Sequence, residues 1–290
     1  MGLRLKFNLA LLFVFALGLA VSGYLSYNLL HKNAREEVLR NAGVMMEAAL
    51  SMRGYTVGKV RPLLPHDPDK FLPESVPAFA ATEIMGLLKK KYPDYSYKEA
   101  ALNPTNPRNR AVDWESDILN TFRAGGAVSG LSGVRETPTG RSLYLARPLQ
   151  IRDEACLSCH TTAEMAPPAM VKLYGPSNGF GWKLNEVIAT QIVSVPMDLP
   201  IRNANRAFVT FMSSLTVVFA VAFVLLNVML TLFIVQPITQ LSATAEMMSR
   251  GRMDVPDFSD KGRDEVSQLG QAFNRMRRSL DKAIRLIDKA

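Results

Sequence analysis

Two long runs without a charged residue constrain this chain more than any other feature: Phe7–Leu30, 24 residues, and Ala207–Val235, 29 residues. As helices rising about 1.5 Å per residue, each can cross a hydrocarbon core about 30 Å thick. They divide the 290 residues into Met1–Lys6, a 176-residue stretch His31–Arg206, and a 55-residue remainder Gln236–Ala290. That layout argues against a soluble cytoplasmic enzyme and against a multi-span transporter or channel. It leaves one mid-sized soluble domain between two anchors, and a tail too small for most catalytic domains. Arg4 and Lys6 precede the first run as in a secretory signal. A signal core spans only about 7–15 residues, and no A-x-A site closes this one, so the run reads as an uncleaved anchor.

The net charge of +8 is spread over all three polar segments, without the basic run expected of a nucleic-acid binder. Lys89-Lys90-Lys91 is the only basic triplet, and it reads as a solvated helix end. Two spans place both termini on one side of the membrane. The flanking charges do not say which, because long translocated loops are exempt from the positive-inside count. Orientation has to come from the chemistry of the soluble parts.

The two cysteines supply it. They stand in Cys156-Leu157-Ser158-Cys159-His160, the C-x-x-C-H sequence of c-type haem attachment. Thiols three residues apart on a helical turn reach the two vinyl groups of one porphyrin, and the following His160 places its imidazole under the iron as proximal ligand. A redox disulfide would leave His160 without a role. A zinc site needs about four ligands, and the chain has two Cys and three scattered His. A structural disulfide closing so short a loop would constrain little. One covalent haem accounts for all three residues. Proteins with this motif resemble c-type cytochromes, whose haem is attached outside the bacterial cytoplasm, so the resemblance implies His31–Arg206 in the periplasm of an inner-membrane protein, with both termini cytoplasmic. The distal ligand stays open: His66, in a Pro-flanked loop, and Met52 are candidates, Met45 shares the Met52 helix face, and a water or vacant position is an alternative.

Periodicity predicts a helix over Lys32–Lys59 continuing from the first span, and another over Ala80–Lys91. A strand follows over Tyr95–Ala101, then a rigid double Asn-Pro turn over 103–109, and a helix over Trp114–Arg123 capped by Asp113. Strands are expected over Ala127–Glu136, Ser142–Ile151 and Glu186–Val195, with loops at Pro167-Pro168 and Gly175–Gly181. Helices followed by antiparallel strands suggest an α+β sensor fold of the PAS type.

Several motifs in order strengthen that reading: Met52-Arg53-Gly54-Tyr55-Thr56, Val60-Arg61-Pro62-Leu63-Leu64, Val76-Pro77-Ala78-Phe79-Ala80-Ala81, the 103–109 turn, Trp114-Glu115, Ala146-Arg147-Pro148, Cys156–His160 and Gly179-Phe180-Gly181-Trp182. Over most of Glu37–Met197 the chain resembles a bacterial family of PAS-like c-type-haem sensor domains. The resemblance implies one covalent haem and a periplasmic sensing role. Some relatives use a distal Cys, which this chain lacks. Within the matched stretch, Arg53, Tyr55 and Arg61 are candidate contacts for the haem propionates, which Arg binds through its planar fork; solvated helix surface and a core tyrosine are the alternative. Asn106 and Arg108 either line the haem edge or a ligand pocket, or serve the turn alone.

After the second span, Ile238, Leu241, Ala245 and Met248 keep heptad spacing, as do Val266, Leu269, Phe273, Met276 and Leu280 beyond a Gly- and Pro-containing connector. With Pro237 at entry and Asp264-Glu265 before the second helix, this tail resembles a HAMP domain. The resemblance implies a parallel bundle of four helices from two chains, and two such short helices can hardly bury their stripes alone, so a homodimer is expected. The chain stops at Ala290, soon after Leu280, so the output is expected in a separate cytoplasmic signalling protein.

The sequence thus describes a haem c sensor relaying a periplasmic redox or small-ligand signal across the membrane through HAMP. An electron-transfer cytochrome c held by two anchors is the alternative. No acid–base constellation points to an enzyme.

Overall fold

The computed structural model describes residues 2–64, 70–126, 129–252, 254–258, 262 and 264–287. The chain divides into two units, one formed by 28–207 and the other by 1–27 together with 208–290. Helices α1 (Leu3–Tyr55) and α6 (Asp198–Leu230) contribute residues to both.

The first unit is a four-stranded antiparallel sheet with helices on its faces. The strands are β1 (Ser96–Ala101), β2 (Leu131–Thr137), β3 (Gly140–Gln150) and β4 (Val187–Pro196), in the spatial order β1-β4-β3-β2. Side chains alternate between faces along each strand. Val193 and Val195 of β4 and Leu143 of β3 point one way, and meet Val38, Ala42 and Met46 of α1. The spacing of 4 and 4 between those helical residues puts them on one stripe. Ile192, Ala146 and Ala100 point the other way, onto Ile118 and Phe122 of α3 (Asp113–Arg123). Covered on both faces, β4 is buried along most of its length, including Thr190 and Gln191.

Several expected boundaries shift for identifiable reasons. Asp113 is the first residue of α3 rather than its cap. Val112 precedes the helix, and the Glu115 carboxylate accepts the Val112 N–H at 3.0 Å in place of a capping side chain. The expected Pro167-Pro168 loop contains a short helix, α5 (Pro168–Tyr174). Proline fits the first helical position, where no N–H partner is required. Helix α2 begins at Pro77 on the same principle and runs to Lys91, with Lys89, Lys90 and Lys91 exposed in its last turn. After Tyr55, α1 passes into a π turn (Thr56–Val60) and a 3-10 turn (Arg61–Leu63). The start of the expected 127–136 strand lies outside the described residues; the described strand begins at Leu131.

In the second unit, Phe15 stacks on Phe219 with centroids 4.9 Å apart, and Tyr27 meets Phe208 edge-on. The outward side chains of both runs are apolar and exposed, and both helices are long and apolar enough to cross a membrane. A π turn over Thr231–Val235 leads into α7 (Gln236–Ser249), and α8 (Glu265–Ile287) follows the connector. Asn274 holds that connector, its amide exchanging both hydrogen bonds with the Phe258 backbone. Leu241 and Met248 of the heptad stripe are buried, whereas Ile238, Leu269, Met276 and Leu280 remain exposed.

Candidate functional site

The C-x-x-C-H segment follows β3 at one end of the sheet. Asp153 opens it: its carboxylate accepts the Ala155 N–H at 2.9 Å, starting a 3-10 turn over Glu154–Cys156 that continues as α4 (Leu157–His160). Residues three apart on such a turn lie on one side, which places Cys156 and Cys159 together. Both are free, half-buried thiols. Cys156 and Leu157 pack with Trp182 on Ala101, Ile151, Ile188 and Ala189. Burial pushes the Cys156 thiol above its ordinary range and the Asp153 carboxylate adds to this, while the Arg61 and Arg53 charges oppose it.

His160 is held from two sides by the loop before β4. Its Nδ1 lies 2.7 Å from the Gly179 carbonyl oxygen, and its ring stacks on Trp182 with centroids 3.8 Å apart and planes 15° apart. The Trp182 N–H donates to the His160 carbonyl, and the Gly181 N–H to that of Thr161. With Nδ1–H donated to a carbonyl, Nε2 is the free ligating nitrogen. Burial lowers the His160 pKa from its ordinary 6.5, with the Gly179 bond working against that. A neutral ligating imidazole is the form favoured.

A depressed histidine pKa has a defined sign. Unfolded His160 takes up a proton below about its ordinary value, which the folded imidazole resists, so its contribution is present at neutral pH and lost as pH falls through the depressed folded value. In a haem-free Cys156→Ser/Cys159→Ser chain, the urea midpoint is expected to fall between pH about 7.5 and about 5.5, and His160→Gln to remove part of that fall.

The Gly-rich loop is itself gripped by the double Asn-Pro turn. Asn103 Oδ1 accepts the Gly179 N–H at 3.1 Å, and Asn103 Nδ2 donates to the Phe180 carbonyl at 3.3 Å. Gly179 has φ +84°, and a Cβ there would lie 2.1 Å from Thr105 Oγ1. The Thr105 hydroxyl is buried without a hydrogen-bond partner.

The other candidate residues divide. Arg53 is not free for a propionate through Nη1, which contacts both carboxylate oxygens of Glu99 at 2.6 Å. Glu99 is 3 % exposed and also accepts the Tyr97 hydroxyl at 2.6 Å, and Gln191 donates to that hydroxyl at 3.0 Å. Burial, reinforced by the Glu99 carboxylate, pushes the Tyr97 pKa far above its ordinary value. Glu99 and Tyr97 carried no signal as site residues in the sequence, since their role depends on strand pairing with β4. Arg61 lies in the exposed 3-10 turn, within electrostatic reach of Cys156. Tyr55 is 65 % exposed, so it is not a core tyrosine. Met52 is half-buried on α1 and Met45 packs against the α1-facing core, while His66 lies outside the described residues. Asn106 caps the turn by accepting the Arg108 N–H, and Arg108 pairs with Glu83 over the Phe79 ring.

The donor set fits a covalently attached haem: two free thiols on one side of a turn, and an imidazole with one nitrogen fixed and the other available. Among the described residues, no three His, Cys, Asp or Glu side chains cluster to hold a metal ion by themselves.

Comparison with known proteins places both soluble parts of the chain. Residues 229–282 match the HAMP domain. No curated protein matches the chain. The crystal structure of the cyanobacterial heme-protein Tll0287 is similar at a TM-score of 0.44 and 15 % identity, over 55 % of this chain and 95 % of that one. Residues 31–196, more than half of the chain, match the Tll0287-like family, and the chain belongs to it.

Proposed function

We propose that this chain is a membrane-anchored haem c sensor that passes a redox or small-ligand signal to a HAMP relay. The observation that carries the proposal is the Cys156–His160 turn, with its two free thiols and with His160 Nδ1 held by Gly179. When bound, the haem supplies an iron that changes charge or takes up a small ligand. Cys156 and Cys159 hold it covalently, His160 ligates it, and Trp182 fixes the imidazole plane. The sensor domain is of PAS type and lies in the periplasm, because C-x-x-C-H haems are attached outside the bacterial cytoplasm. Both termini are then cytoplasmic.

The exposed heptad residues Ile238, Leu269, Met276 and Leu280 support a homodimer, in which a second copy covers them. A tether for an electron carrier needs no such stripe, which favours sensing over electron transfer. A state change at the iron acts only by stabilising one arrangement of the relay over another. The output is a separate cytoplasmic signalling protein.

Haem staining of a denaturing gel tests the reading. Stain is expected to travel with the wild-type chain and to vanish in Cys156→Ser/Cys159→Ser. An unstained wild-type band, from cells that attach haem to other C-x-x-C-H proteins, refutes it.

A further inference from the structure

The Gly179 carbonyl that accepts the His160 N–H belongs to the peptide joining Gly179 to Phe180. The peptide groups on either side of it are both bound by one side chain. Asn103 accepts the N–H of Gly179 and donates to the carbonyl of Phe180. Asn103 lies 76 residues from Gly179 in sequence, so this grip is tertiary. The same turn presses Thr105 against Gly179 so closely that no Cβ fits between them. On its far side the loop is held by the His160 turn, whose Thr161 and His160 carbonyls accept the Gly181 and Trp182 N–H groups; on the Gly179 side the grip comes from residues 103–105.

We infer that Asn103 is a positioning residue for the iron-ligating imidazole: by bracketing the Gly179–Phe180 peptide, it sets the strength of the hydrogen bond to His160 Nδ1. The inference rests on the haem reading. A firm acceptor at Nδ1 raises imidazole basicity and favours the ferric iron that the imidazole ligates. Loosening that acceptor reduces donation to the metal and raises the midpoint potential. Loss of such an outer partner typically costs about 10–100-fold in metal affinity or activity. A tenfold change in a one-electron equilibrium is about 59 mV.

The test uses the full-length chain in detergent, with Asn103→Ala, Asn103→Asp and Asn106→Ala. Asn106 sits on the same turn but caps only Arg108. Asn103→Ala is expected to keep the haem stain, speed amide exchange at Gly179, and raise the potential at least tenfold in equilibrium terms. Asn103→Asp keeps the acceptor for Gly179 but loses the donor to Phe180 and adds a negative charge, two effects of opposite sign on the potential, so its expected result is a Gly179 amide still protected. Asn106→Ala is expected to leave both readouts unchanged. An unmoved potential in stained Asn103→Ala protein overturns the inference. So does an equal shift in Asn106→Ala, or a Gly179 amide as open to exchange in Asn103→Asp as in Asn103→Ala. If Asn103→Ala does not fold, Asn103→Gln, which moves the same amide by one methylene, decides: an unmoved potential there overturns the inference. A wild-type chain without covalent haem defeats the haem reading instead, and Gly179 exchange still reports whether Asn103 grips the loop.

Discussion

Replacing Glu99 with alanine is expected to destabilise the sheet domain by about 3–5 kcal/mol, the usual range when one partner of a buried ion pair is removed. The Arg53 side chain is 18 % exposed and that of Glu99 3 %, so water cannot replace the lost carboxylate for either Arg53 or Tyr97. For a domain of this size the melting temperature should drop by about 10 °C. Glu99→Gln keeps an acceptor of similar shape and should lose less. The double change Arg53→Met/Glu99→Leu should recover much of the loss, because no charge is left unpaired. Thermal melts of the four proteins check this. A Glu99→Ala chain melting within about 2 °C of wild type would show that the pair is solvated.

Gly179→Ala is expected to cost about 3 kcal/mol and to loosen the His160 turn with it. Two terms add. The left-handed backbone at φ +84° costs an L residue about 1–2 kcal/mol. The new Cβ would also stand 2.8 Å from Thr105 Cα, a backbone atom that no rotamer change moves. Gly175 and Gly181 separate these terms. Both have positive φ, but a Cβ at either meets nothing within 4 Å. Gly175→Ala and Gly181→Ala should therefore show only the backbone cost, and Thr105→Ala should rescue Gly179→Ala incompletely. Denaturant midpoints of the three glycine variants give the ranking, and equal losses would remove the close-approach argument.

These two sites mark where sequence reasoning stopped. The spans were legible because hydrophobic length is a local property. The C-x-x-C-H turn was legible because it is written within five consecutive residues. The heptads were legible because their period survives in one dimension, and the exposed Leu269, Met276 and Leu280 bear the pattern. Arg53 was singled out, but its partner Glu99 lies 46 residues away and is reached only once β1 pairs with β4. The carbonyl that holds His160 is a backbone atom and leaves no residue signature. A cluster of glycines between 175 and 181 signalled irregular backbone, yet only tertiary packing singles out Gly179 as the one against Thr105. Helix α5 was hidden by the Pro167-Pro168 pair, which reads as a break and serves as a start.

Strand β4 is the last strand made during synthesis, yet it lies between β1 and β3 in space. Until residues 187–196 arrive, β1 has no neighbour and the β2–β3 hairpin stands alone. Cys156 and Cys159 are made before that closing strand, and the Gly179–Trp182 loop that locks His160 leads directly into it. Chain growth at about 5–20 residues per second thus gives an interval of seconds in which both thiols exist on a chain whose sheet cannot yet close around them. Assembly order alone keeps both thiols on an open sheet for that interval, and only the final strand brings Ile188 and Ala189 against Cys156.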